Sequence, residues 1–394
     1  MLRKSHAVPF LGAALASMTA GATFAAEDGS TTMGGQVFLD ASHISQQQEQ
    51  KDGSEKDVPP TGTGFDVKRF YLSVDHQFND IWSADLTTDA QFSSSTTAGS
   101  GGVSEVFIKK LYLQAKLDDA FVVHAGSYTT PWAPFVESLY GYRWVEKTAT
   151  DRLGFANTAD WGINASGKIA DNIVSYSASV LNGGGYKNPT RTKDVDFEGR
   201  VGVSPVSWLT LGAGYYTGHL GQITTANENF DSNTASRYDL VAGVNVSGLR
   251  VGAEYFNARN YKSASAKTGV LGGPGGVVVA PDDTTAVVSD KADGYSSWAS
   301  YAFTEQFSVF GRYDQSKLSK DVVSGLKDTY YNLGVAFKPT QGIDLGVVYK
   351  HEKVEDGVVS ISGADANSSY TIGGTGPTSG GKFDEIGLYA QYLF

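Results

Sequence analysis

The chain has 394 residues, no Cys, 47 Gly against 11 Pro, 21 Tyr, and 42 acidic against 31 basic side chains. The missing Cys excludes a disulfide scaffold, a thiolate nucleophile and thiolate metal sites, and the net charge of −11 argues against nucleic-acid binding, which needs a basic surface to displace counterions. With 41% hydrophobic residues the chain can bury a core, so what needs explaining is the pairing of abundant Gly and Tyr with a negative mean hydropathy.

In chain order the first element is a leader. Arg3 and Lys4 precede an apolar stretch from Ala7 through Phe10, Leu11, Ala14 and Leu15 to Met18, and small residues follow at Ala22, Thr23, Ala25 and Ala26. This is the three-part pattern of a secretory signal. Cleavage after Ala25 puts Thr23 and Ala25 where a signal peptidase requires small side chains. Residues 1–25 are therefore expected to be removed and 26–394 to form one mature domain. The apolar stretch is about half of the roughly 20 residues a spanning helix needs, and no longer one follows.

After the leader, period-two alternation recurs in segments of about ten residues, the length a tilted strand needs to cross an outer membrane. The last is the clearest: Ile386, Leu388, Ala390, Tyr392 and Phe394 share one face, and Glu385, Gly387, Tyr389 and Gln391 the other. The alternation predicts sixteen strands, over 33–42, 65–77, 80–92, 105–117, 120–129, 159–169, 173–182, 194–204, 207–217, 236–247, 249–261, 294–303, 306–316, 327–338, 341–351 and 383–394. Their connections alternate in length. Turn formers such as Asp118-Asp119, Asp171-Asn172 and Ser247-Gly248 make short ones, and 43–64, 93–104, 130–158, 218–235, 262–293 and 352–382 are long. The predicted fold is all-β, a transmembrane antiparallel barrel of about sixteen strands with short turns and both termini on the periplasmic side and long loops outside. Aromatics near strand ends, including Trp82, Phe121, Tyr215, Tyr216, Tyr301, Phe303, Phe337, Tyr349 and Tyr392, suit interfacial girdles.

One long loop is unusual. Residues 130–158 carry Pro131, Trp132, Pro134, Phe135, Tyr140, Tyr142, Arg143, Trp144, Lys147 and Arg152. Such aromatics are costly in open water but can pack on a barrel wall, so an inward-folded third extracellular loop is expected; an aromatic cap at a subunit interface or at the outer rim is the other reading.

Phe65-Asp66-Val67-Lys68-Arg69-Phe70-Tyr71-Leu72-Ser73-Val74 and Ile108-Lys109-Lys110-Leu111-Tyr112-Leu113-Gln114 resemble the early strands of phosphate-selective porins of the O and P type. Gly126-Ser127-Tyr128-Thr129-Thr130-Pro131-Trp132-Ala133-Pro134 is similar to that family's entry into the third loop, and Asp160-Trp161-Gly162-Ile163 and Val180-Leu181-Asn182-Gly183-Gly184-Gly185 resemble the segments that follow. The resemblance is strongest over 65–185. It implies a trimeric porin of the Gram-negative outer membrane, set in lipid and lipopolysaccharide, whose third loop narrows a water-filled pore and whose basic side chains pass small hydrophilic anions, often phosphate.

Strand parity shows which basic residues can serve such a pore. With Phe70, Leu72 and Val74 facing lipid, Arg69 faces inward; by the same rule so do Lys110, Arg200, Arg250 and Arg312. With Arg143, Lys147 and Arg152 of the third loop they form the candidate pore lining, Arg being suited to phosphate or carboxylate oxygens by its permanent charge and planar donors. Arg200, Arg250 and Arg312 have acidic neighbours and equally suit a wall network. Trp132, Tyr140, Tyr142 and Trp144 are candidate stacking faces in a sugar-favouring alternative. His43, His76, His124, His219 and His351 lack metal-ligand spacing, and no nucleophile motif supports an outer-membrane phospholipase. No catalytic residue, metal or cofactor is expected. An adhesin or receptor barrel is the remaining class.

Overall fold

The computed structural model describes residues 23–26, 29–50, 52–93, 103–223, 234–264, 269–274, 278–279, 285–286, 288–361, 370–374 and 379–394. The expected leader, 1–25, lies outside them except for Thr23–Ala25.

Sixteen strands build the barrel: β1 (Gly29–Glu49), β2 (Gly62–Gln77), β3 (Trp82–Ser93), β4 (Val103–Asp118), β5 (Phe121–Thr129), β6 (Ala159–Ile169), β7 (Val174–Leu181), β8 (Asp196–Val206), β9 (Leu209–Gly218), β10 (Ala235–Val246), β11 (Leu249–Arg259), β12 (Lys291–Ala302), β13 (Phe307–Lys317), β14 (Lys327–Thr340), β15 (Ile343–Glu355) and β16 (Gly381–Leu393). Each pairs antiparallel with the next, and β1 pairs with both β2 and β16, which closes the sheet. Closure removes the free edges that a membrane cannot satisfy.

The outer surface carries the apolar member of each alternation. Leu211, Leu240, Leu333, Val347 and Leu388 are all exposed, an arrangement stable only against lipid. Tyr215, Tyr238, Tyr255, Tyr295 and Tyr313 form an outward band near the long-loop end, and Tyr215 and Tyr238 sit with ring centroids 4.8 Å apart. Phe303, Phe307 and Phe337 stack at the short-turn end. Tyr216 departs from the girdle expectation: parity turns it inward, where it is buried and its hydroxyl donates to Asp196.

Several strands outrun the alternation. β1 continues to Glu49 through Ser45-Gln46-Gln47-Gln48, paired with β16 and with a short strand at Glu55–Asp57. Above the membrane both faces are polar, so no hydrophobic period marks that extension.

At the long-loop end the interior of β9–β16 is filled with apolar side chains. Tyr216, Phe256, Val354 and Phe383 meet loop residues that include Phe155, Leu220, Tyr261, Leu271, Leu326 and Ile372 in one buried cluster. A four-stranded sheet of Lys262–Ala264, Val270–Pro274, Val358–Ile361 and Tyr370–Gly373 belongs to this dome.

Candidate functional site

The segment 130–158 contains two helices, α1 (Ala133–Tyr140) and α2 (Ala149–Arg152). Pro134 in the first turn of α1 supplies a pre-set φ, and Gly141, at φ 81°, ends the helix in the left-handed conformation with its N–H bonded to the Glu137 carbonyl. The guanidinium of Arg250 lies where a Cβ on residue 141 would stand and would have to move aside for one; the left-handed backbone is what favours Gly there.

This segment packs on the inner wall. Trp132, Val136 and Tyr140 cluster with Val241 and Trp298, and Trp144 and Val145 with Phe38, Phe310 and Tyr389. The wall is cut back to receive it: a side chain at Gly202 or Gly212 would strike Phe135, one at Gly214 would strike Trp132, one at Gly346 Trp144. Part of the Gly excess is thereby explained as the seat of an aromatic loop.

Polar anchors fasten the same segment. Trp132 Nε1 donates to Glu254 at 2.8 Å, and Thr150 donates to the same oxygen at 3.0 Å. Arg152 is fully buried, 2.6 Å from both Asp328 and Glu352 and 3.5 Å from Asp314, with its guanidinium 4.4 Å from the Tyr330 ring centre. Arg312 grips Asp314 at 2.5 Å and donates to the Lys147 carbonyl. Lys350 bridges Glu146 at 3.1 Å and Glu385 at 3.3 Å. Burial alone would push Glu146 up, but the charges of Lys350, Lys68 and Arg152 hold its carboxyl at about 2.

The candidate lining residues thus fall into two groups. Arg152 and Arg312 are sealed from solvent among carboxylates, as fasteners of the segment. Arg69, Lys110, Arg143, Lys147, Arg200 and Arg250 lie on the inner wall or on the segment outside that cluster; Arg69 and Lys147 are buried and the other four half-buried. Arg143 contacts Glu137 at 2.7 Å, and Lys110 contacts Asp85 at 3.3 Å. Lys147 lies 3.5 Å from Asp151 and in the field of Arg69 and Arg143; burial first, then those two charges, bring its amine down to about 8. Arg200 rests 4.2 Å above the Phe135 ring centre and donates to Ser175 at 3.0 Å, while Arg250 reaches the Tyr140 carbonyl at 3.4 Å. Among the described residues no carboxylate comes within ion-pair distance of Arg200 or Arg250. Of the four stacking candidates, Trp132, Tyr140 and Trp144 are buried against the wall and offer no face to a solute; Tyr142 is half-buried and stacks on Phe310 at 4.1 Å.

Among the basic residues that the sequence reading missed, three lie close to Arg69 in the chain or in its field. The pairing of β1 with β2 skips Lys68, and that of β3 with β4 skips Lys109. Each is the extra residue of a β-bulge, which turns two successive side chains to one face. Lys68 lies 3.3 Å from Asp40, and Lys109 sits over the Tyr71 ring at 4.3 Å, 3.2 Å from its hydroxyl. The Ser127 hydroxyl closes the second bulge by donating to the Lys109 carbonyl at 2.7 Å. The signal was present in Val67-Lys68-Arg69-Phe70, where outward apolar residues stand three apart instead of two. The third, Lys187, lies on the loop after β7: Tyr186 donates to Asp89 at 2.7 Å, and Lys187 spans the Phe107 ring at 4.3 Å, near Arg69 and Lys109.

A closed, sixteen-stranded antiparallel barrel with a lipid-facing exterior and a polar, charge-lined interior defines a channel of the Gram-negative outer membrane. The family model of phosphate-selective porin O and P matches residues 32–360, and the chain belongs to that family. The fold is shared with the anion-selective porin from Comamonas acidovorans (TM-score 0.61, 11% identity, covering 93% of this chain and 100% of that one). It is also shared with the outer membrane channel DcaP of Acinetobacter baumannii (0.58, 15%, 95% and 100%) and with OmpT of Vibrio cholerae in its trimer form (0.52, 13%, 93% and 100%). No curated protein matches.

Proposed function

We propose that this porin admits small hydrophilic solutes by diffusion with preference for anions such as phosphate, through an eccentric passage between the 130–158 segment and the β2–β8 wall. The observation that carries this reading is the run of cations along that passage. Lys187, Lys109, Arg69, Arg143 and Lys147 succeed one another, and Lys110, Arg200 and Arg250 follow. Lys109, Arg200 and Arg250 have no carboxylate at ion-pair distance among the described residues, so positive potential is left for a passing anion. Rings of uncompensated charge set pore selectivity, and low-dielectric walls focus their field. The segment acts as the constriction, its anchors holding Arg143 and Lys147 toward the passage.

The family and the trimer form of the Vibrio cholerae neighbour support a homotrimer embedded in lipid and lipopolysaccharide. The short turns and both termini then face the periplasm. Loss of residues 1–25 leaves the barrel whole, because among the described residues Thr23–Ala26 pair only with Gly29–Thr32. Liposome swelling tests the reading: phosphate should enter faster than a cation of equal size. Equal rates would refute it.

A further inference from the structure

The outer surface of the barrel carries a charge pattern that the pore does not use. Arg259, Lys291, Lys317, Lys327 and Lys353, on the successive strands β11–β15, each stand four positions beyond an outward Tyr, toward the long-loop end and on the same face, as Lys317 does beyond Tyr313. Lys382 continues the belt on β16. Four residues advance about 13 Å along a strand, or about 10 Å along the membrane normal at the usual tilt. Tyr marks the edge of the hydrocarbon, so the belt stands at the level of lipid headgroups. Arg259, Lys291, Lys317 and Lys353 are exposed, and Lys327 and Lys382 half-buried.

Register sets these cations against one another. Arg259 is the cross-strand partner of Lys291, Lys317 of Lys327, and Lys353 of Lys382. Like charges directly opposite destabilise a sheet, yet the arrangement recurs on three strand pairs of an acidic chain. Carboxylates answer it unevenly. Lys353 takes Glu355 at 2.8 Å and Lys382 takes Glu55 at 2.6 Å. Lys291 lies 3.4 Å from Asp321, and Lys327 lies 3.8 Å from Glu355. Asp293, beside Lys317 in register, is held by Lys320. Arg259 donates to Ser289 at 3.0 Å, and among the described residues no carboxylate comes within ion-pair distance of Arg259 or Lys317. The two cation pairs on β11–β14 therefore keep uncompensated charge. They stand two strand spacings apart, or roughly 10 Å.

We propose that these two pairs dock the diphosphorylated disaccharide of lipopolysaccharide, its lipid A headgroup, in the outer leaflet. One phosphate lies between Arg259 and Lys291 and the other between Lys317 and Lys327, while the acyl chains run down over the Tyr band and the apolar wall. A phosphate between facing cations removes their repulsion, and its charge-assisted hydrogen bonds outdo those to a lone exposed carboxylate. Phosphatidylglycerol carries one phosphate and can engage one pair only. The site rests on the orientation stated above, with the long loops outside, and is independent of what the pore conducts.

The test is lipid binding to the purified channel in detergent, read by native mass spectrometry. Lipid A with both phosphates should bind at least tenfold more tightly than its monophosphoryl form or than phosphatidylglycerol. Lys317→Gln with Lys327→Gln should weaken that binding about tenfold or more, since each cation near an anionic surface adds to the attraction. The reversal potential in a KCl gradient should not change, because both side chains face away from the pore. Arg259→Gln with Lys291→Gln should do the same and serves if the first variant does not fold. Equal binding of the three lipids, or variants that bind lipid A as the wild type does, overturns the site alone. Orientation is read separately. Ser54, exposed on the loop between β1 and β2, can be made the only Cys of the chain. In intact cells Ser54→Cys should react with a membrane-impermeant maleimide; no reaction removes the outward orientation and the site with it.

Discussion

Replacing Arg152 by Met should free the constricting segment without unfolding the barrel. Arg152 is, among the described residues, the one cation in contact with both Asp328 and Glu352, and all three side chains are buried. Removing one member of a buried ion pair costs about 3–5 kcal/mol, because the remaining charges stay desolvated. That is a loss of roughly 10² to 10³ or more in the equilibrium for docking the segment. The barrel ladder does not involve Arg152, so folding should survive. In planar bilayers the variant should flicker between conductance levels where the wild type is quiet, and trypsin should cut within 130–158. Adding Asp328→Asn and Glu352→Gln should restore quiet current, since the uncompensated charges are then gone. A quiet, protease-resistant Arg152→Met channel would refute the idea that this cluster fastens the segment.

Arg143→Glu and Lys110→Glu should each lower anion preference, by at least twofold in permeability ratio from salt-gradient reversal potentials; no change in either would remove that residue from the conducting track. With its amine near 8, Lys147 is about nine-tenths charged at pH 7 and about one-tenth at pH 9. Anion preference should therefore be full below pH 7 and fall as pH rises through 8, and Lys147→Gln should abolish that step. Gly214→Val should collide with Trp132, costing about 1–3 kcal/mol by overpacking, seen as a lower urea midpoint; an unchanged midpoint would show that the Gly seat is not needed.

All sixteen strands were legible because each crosses from water to lipid twofold, along the chain and across the sheet, and so writes alternation into its sequence. The inner wall was less legible. Lys68 and Lys109 escaped because a bulge breaks the period on which parity depends, although the spacing of Val67 and Phe70 recorded it. Arg152 and Trp144 were visible as unusual loop residues, but a charge that fastens and a charge that conducts look alike until their carboxylates are located, and Asp314, Asp328 and Glu352 are 162 or more positions away. The two helices were missed for their brevity, although Pro134 and Gly141 mark the boundaries of α1. The apolar dome drew on five separate loops, which no local pattern joins.

The reversal potential of the wild-type channel in a planar bilayer under a KCl gradient at pH 7 tests anion preference most directly. The cationic passage predicts a sign reporting chloride more permeant than potassium, with the current falling when phosphate is added. A potential of the opposite sign, unaffected by phosphate, would contradict it.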